Sequence, residues 1–116
     1  MSKVEEFRKY REKMNKRIFE LGNLVTKRFF SLDSQTYESG ALETKYKELM
    51  GLVASLVLRC NDCVSYHLIR CVEEGVSDEE IIEAMNIALI VGGSIVIPHY
   101  RYAVEFLDEL RGRKDE

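Results

Sequence analysis

The sequence predicts an all-α fold, and three observations predict it. Apolar residues recur three and four apart along most of the chain, and helix-starting and helix-ending residues punctuate it. No segment alternates apolar and polar residues with the period of two that marks a half-buried strand. At 116 residues the chain has room for one domain, residues 1–116, with a helical arm over 1–30 and a core over 42–111. About five to six helices are expected, in a core small enough that association with copies of the chain is a reasonable expectation.

The arm comes first. Val4, Phe7, Met14, Ile18, Leu21 and Val25 form an apolar stripe that Arg11 interrupts. Gly22 weakens it and Asn23 can cap a second short helix through Phe30, which leaves one helix or two as open alternatives. A charged arm with one apolar stripe packs against the body or a neighbouring subunit, or stays a solvated amphipathic helix. Residues 31–41 are polar, lack periodicity and reach a Gly before Ala41, so a loop is expected there.

The next helix spans about residues 43–58. Its apolar residues wrap almost all the way round, which predicts burial on most sides, with Glu48 at the edge of the core. A cysteine-bearing helix begins near Arg59 or Cys60, where Asn61 and Asp62 suit a first turn, and ends at Gly75. Ser77 followed by Glu80 is a capping box that opens a further core helix through Ile81, Ile82, Met85, Ala88 and Leu89. Gly92 and Gly93 end that helix or let another backbone come close. Pro98 suits the first turn of a last helix, to about Arg111, exposing Arg101, Glu105, Asp108 and Glu109.

Charge and hydropathy exclude some classes of function. Seventeen basic and twenty acidic residues are interspersed, so the concentrated basic face of a nucleic-acid binder is missing. The first 17 residues are too charged for a secretory signal. The longest uncharged run, residues 84–99, is too short to span a bilayer, and Gly92, Gly93 and Pro98 interrupt it. A cytoplasmic location is expected. In a reducing compartment, a close pair among three cysteines reads as catalytic or metal-binding rather than as a structural staple.

That pair is Cys60 and Cys63, with His67 four residues further on. On a helix the three share a face, and Cα atoms three residues apart lie about 5 to 6 Å from each other, a distance that admits a disulfide. Reactivity requires a lowered thiol pKa, which a helix N-terminus and a protonated His67 both favour and the Asp62 carboxylate opposes. Two alternatives stay open: buried cysteines acting as small hydrophobes, and half of a zinc site. Zinc would need a second ligand pair at short spacing, whereas His99 is distant and Cys71 lies eight residues beyond Cys63. Cys71 itself reads as a core residue. His99, after Pro98, is a candidate for a supporting role beside the site or a purely structural one. Glu48, taken alone, reads as a solvated charge.

A Glu, eleven residues, C-x-x-C, three residues and a His (Glu48, Cys60, Cys63, His67) together resemble the alkyl hydroperoxidase D and carboxymuconolactone decarboxylase superfamily. The resemblance covers about residues 42–110, including Gly75 to Ile81 and the run from Ala88 to Gly93. It implies an all-helical subunit that assembles as a homo-oligomer, a trimer or hexamer. It also implies a thiol peroxidase or disulfide reductase of peroxiredoxin-like, antioxidant activity. Cys63 would attack the peroxide, Cys60 would resolve the sulfenic acid as a disulfide, and Glu48 with His67 would relay protons. A peroxide substrate and a thiol-based electron donor or partner peroxiredoxin follow, with no heme, flavin or metal required. One position departs from the pattern: Asp62 stands where such members often carry a second His, and His99 is a candidate to replace it. The same superfamily suggests an alternative, a lyase acting on a small carboxylated lactone, for which only Glu48, His67 and His99 offer an acid or base. A non-catalytic metal-binding or assembly module is the alternative outside enzymology.

Overall fold

The structure is a computed structural model that describes residues 2–113. Among the described residues there are six α-helices, α1 (Lys3–Leu21), α2 (Leu24–Thr36), α3 (Thr44–Val57), α4 (Asn61–Glu73), α5 (Asp78–Gly92) and α6 (Ile97–Leu110), with one 3-10 turn, Ser94–Val96, before the last. No strand occurs among the described residues. The fold is all-α, as the periodicity predicts.

Helix α3 packs against α4 and α5, and α6 closes on α4. Leu52 and Leu56 of α3, Val64 and Leu68 of α4, Ile81 and Met85 of α5, and Phe106 of α6 are buried in one shared core. Each such side chain removed from water contributes about 1.5–3 kcal/mol, which is what holds four short helices together.

Gly22 and Asn23 divide the arm into two helices. A Cβ at Gly22 would lie 2.7 Å from the carbonyl oxygen of Ile18 and 2.9 Å from the Thr26 side chain, so the corner between α1 and α2 has no space for one. The Asn23 side chain then accepts the backbone N–H groups of Val25 and Thr26 and starts α2. Helix α1 docks by its first two turns: Phe7 meets Phe106 edge-on with centroids 5.9 Å apart, and Lys3 pairs with Glu105 at 2.6 Å. Helix α2 has no buried residue and leaves Leu24, Val25, Phe29 and Leu32 exposed. The radius of gyration is 14.9 Å. A compact chain of this length would have about 13 Å, so the arm projects from the body.

Two expectations need correction. The first concerns residues 31–41, read as a loop: helix α2 continues to Thr36, and only the remainder is irregular. Its last turn is held from outside, because Lys47 of α3 donates to the carbonyls of Thr36 (2.9 Å) and Glu38 (2.6 Å). The Gln35 amide and the Thr36 hydroxyl add bonds one turn back, to Ser31 and Leu32. A cap delivered from another helix leaves no local signature. The second concerns α3, read as buried on most sides. Met50 is 53% exposed and Leu58 76%, and they belong to an open apolar face with Tyr46, Ile87 and Val91.

Gly93 follows the first alternative, whereas Gly92 makes room for a side chain rather than for another backbone. Gly93, at φ 81°, ends α5, while a Cβ on Gly92 would collide with Val96.

Candidate active site

The cysteine pair is placed by a turn that serves two helices. Helix α3 ends with the N–H of Arg59 bonded to the carbonyl of Leu56, and that of Cys60 to the carbonyl of Ser55. This is the Schellman pattern, whose left-handed residue is usually glycine; here it is Arg59, at φ 60°. Cys60 is thus the residue that leaves α3 and also the N-cap of α4. Its Sγ accepts the N–H of Cys63 at 3.2 Å. Cys60 and Cys63 are joined as a disulfide with Cα atoms 5.3 Å apart, within the spacing expected of a helix start. Cys63 is exposed and Cys60 half-buried. Unpaired backbone N–H groups at this helix end favour negative charge on sulfur.

One turn beyond Cys63 lies His67, and α3 supplies its partner. Glu48, 1% exposed, places Oε1 2.8 Å from His67 Nδ1 and Oε2 3.4 Å from Arg70 Nε. A carboxylate only accepts, so Nδ1–H donates to it and Nε2 is left as the basic nitrogen. The sequence pattern therefore brings together two residues nineteen positions apart. Tyr37 and Tyr66 flank the imidazole, with ring centroids 5.4 and 5.2 Å from it. Burial, and after it the charge of Glu48, pushes both phenols above their ordinary range. Both remain neutral walls of the site. The Arg11 guanidinium lies 4.4 Å from the Tyr66 ring centre, which explains why a charge interrupts the apolar stripe of α1.

Gly51 is the residue that sequence reasoning missed. A Cβ there would come within 2.6 to 2.9 Å of three His67 ring atoms, so the imidazole lies directly on the backbone of α3. One signal was available: a glycine inside a helix costs about 1 kcal/mol against alanine, so its presence among good helix formers asks for a packing reason. Arg70 was also missed, since on α4 it resembles any surface charge.

His99 reaches the motif through Asn61, the first residue of α4, whose Oδ1 accepts from His99 Nδ1 at 2.7 Å. It ties the start of α6 to the cysteine turn. Asp62 is exposed in the first turn of α4. Cys71 is fully buried; burial first, and the nearby Glu48 charge second, push its thiol up to about 12. It is therefore a core thiol, inert at neutral pH. In reduced, native protein an alkylating reagent is expected to label two cysteines, and Cys71 only after unfolding. Intact-mass measurement checks this, and a third adduct on folded protein would refute it.

The class is that of a small all-α protein that sets a cysteine pair at one helix start, one turn before a buried Glu–His pair. Residues 23–109 match the carboxymuconolactone decarboxylase family, and the chain belongs to it. TM1620 of Thermotoga maritima is 63% identical and superposes with a TM-score of 0.90 over 92% of this chain and 94% of that one. A second structure of TM1620, with a TM-score of 0.88 over 92% and 91% of the two chains at 63% identity, presents it as a family member with a suggested part in antioxidative response. The family protein lpg0406 of Legionella pneumophila is 26% identical, with a TM-score of 0.77 over 97% of both chains. Uncharacterized protein 4 of the cox locus of Paracoccus denitrificans is 28% identical over 91 residues, 78% of this chain and 82% of that protein.

Proposed function

We propose that the protein is a thiol peroxidase and disulfide reductase that cycles the Cys60–Cys63 pair. The observation that carries this reading is the pair at bonding distance on a helix N-terminus, one turn from the Glu48–His67 couple. The suggested antioxidative role of TM1620 supports it. Among the described residues no three His, Cys, Asp or Glu side chains form a group that could hold a metal ion.

In the forward half-reaction His67 takes the thiol proton of Cys63. The thiolate attacks the terminal oxygen of a hydroperoxide, the O–O bond breaks, and the departing alkoxide leaves as an alcohol with the relayed proton. The sulfenic acid on Cys63 is then attacked by Cys60, and hydroxide leaves as water with the second proton. Two thiols have given two electrons. An external dithiol donor resets the pair by thiol–disulfide exchange, and the reduced pair can in turn give its two electrons to the disulfide of a partner peroxiredoxin. A pair that must be reopened belongs in a reducing compartment, here the cytoplasm. No helix among the described residues is long and apolar enough to cross a membrane.

The test is intact-mass measurement of pre-reduced protein before and after one equivalent of an alkyl hydroperoxide. Loss of two hydrogens, reversed by a dithiol, is expected. Unchanged mass and unconsumed peroxide would end the proposal.

The open apolar face supports assembly as a homo-oligomer, a trimer or hexamer. Tyr46, Met50, Leu58, Ile87 and Val91 lie exposed on the α3–α5 side, and α2 presents four more large apolar residues. Contiguous apolar patches beyond a few hundred Å2 are rare on monomers, and a stable interface takes about 800 Å2 from each partner. The two surfaces on one chain suit a second copy. Ile87→Lys and Met50→Lys together are expected to shift the protein from oligomer to monomer in light scattering; a wild type already monomeric at micromolar concentration would refute the assembly.

A further inference from the structure

We propose that Arg70 is a positioning residue of the relay: it balances the buried charge of Glu48, so that His67 need not, and thereby leaves the imidazole free to accept a proton near neutral pH. This rests on the thiol-redox reading of the site, although its direct test does not.

The geometry is that of one carboxylate between an imidazole and a guanidinium. Glu48 is 1% exposed, with His67 Nδ1 at 2.8 Å on one oxygen and Arg70 Nε at 3.4 Å on the other. His67 and Arg70 are three residues apart on α4 and so meet the same stretch of α3. A carboxylate withdrawn from water is costly unless a cation accompanies it. Were His67 the only candidate, the stable arrangement would be carboxylate with imidazolium, and an imidazolium cannot take a proton from a thiol. A guanidinium does not release its charge at any physiological pH, so Arg70 fills the role permanently.

Every other ionisable group around the couple is neutral, negative or one ring removed. Helix α2 and the residues after it contribute Tyr37, Asp33 and Glu38, and α1 contributes Arg11, which lies over the Tyr66 ring. Helix α4 adds Tyr66, Cys71, Glu73 and Glu74. Among the described residues Arg70 is the one Lys or Arg within ion-pair distance of Glu48. Glu73 (2.8 Å) and Glu74 (3.4 Å) hold the outer nitrogens of the same guanidinium and fix its orientation.

Removing the guanidinium leaves the imidazolium as the only counter-charge, so the basic form of His67 appears only at higher pH. Arg70→Gln is expected to slow disulfide formation on the order of tenfold at pH 7, with recovery as the pH is raised. Arg70→Lys, which keeps the charge, restores most of the rate, and Arg70→Met, which keeps the bulk, does not.

Nitrogen-15 NMR of the histidine rings at pH 7 tests the charge balance without any redox step. In wild type and Arg70→Lys the His67 ring is expected in its neutral form, protonated on Nδ1; in Arg70→Gln and Arg70→Met it is expected as imidazolium. His99, bonded to Asn61, serves as the unchanged reference. A His67 ring with the same protonation in all four proteins overturns the inference, whatever the peroxide assay gives. A ring that responds as expected in a protein that never forms the disulfide upholds the charge balance and sinks the thiol-peroxidase reading instead.

Discussion

Cys63→Ser is expected to abolish peroxide consumption, leaving the mass of the reduced protein unchanged after peroxide, while Cys60→Ser gains one oxygen and stops there. The two variants separate roles because they preserve the fold for different reasons. Serine is among the best N-cap residues, so Cys60→Ser keeps an acceptor for the N–H of Cys63 and α4 still starts at residue 61. Cys63 is exposed, and substitutions at such positions usually change stability by less than about 0.5 kcal/mol. Loss of function in either variant is therefore chemical. With Cys60 gone, the sulfenic acid on Cys63 has no neighbour one turn away and accumulates, open to trapping by a dimedone-type reagent. With Cys63 gone, the remaining thiol sits half-buried at the N-cap, and peroxide is left intact. Identical behaviour of the two variants would remove this division of labour even if the pair still cycles.

Gly51→Ala is expected to harm the reaction more than the fold. Two effects compete. Alanine improves helix propensity by about 0.8–1 kcal/mol at an interior position. Against that, the new Cβ would overlap the His67 ring at 2.6 Å, and overpacking of this kind costs about 1–3 kcal/mol. The net stability change is small to moderately unfavourable, since the clash outweighs the gain in propensity. The chemical effect is larger, because the cheapest relief is to push the imidazole off α3 and break its 2.8 Å bond to Glu48. Disulfide formation should slow on the order of a hundredfold, the usual contribution of a positioned acid–base group. Thermal melting and stopped-flow peroxide assays on the same sample separate the two effects. A variant that reacts at the wild-type rate would show that contact of the ring with this backbone is not needed.

The helices were legible because their signals are local. Ser77 and Glu80 bond each other's backbone as the capping box requires. Gly75 takes the left-handed conformation that ends α4, and Pro98 falls in the first turn of α6. Where a boundary was misjudged, at residues 31–36, the missing force was a lysine from the next helix. Where burial was misjudged, on α3, an apolar residue carries no mark of whether its own chain will cover it. The Cys60, Cys63 and His67 spacing lies at the start of one helix and over its first turns, and could be read directly. Glu48, by contrast, entered through family resemblance, because on its own a glutamate beside an apolar run looks like a surface charge.

By itself the amino-acid sequence determined the helical class, most helix limits and the placing of Cys63 and His67 one turn apart on a helix that starts at Cys60, because backbone hydrogen bonding and side-chain period act over three or four residues. Only the tertiary structure decided that Glu48 lies buried on His67, that Gly51 makes room for the ring, that Arg70 shares the carboxylate and that His99 holds the cysteine turn through Asn61. Those contacts join residues on different helices, and they exist because closing the shared core brings α3, α4 and α6 together.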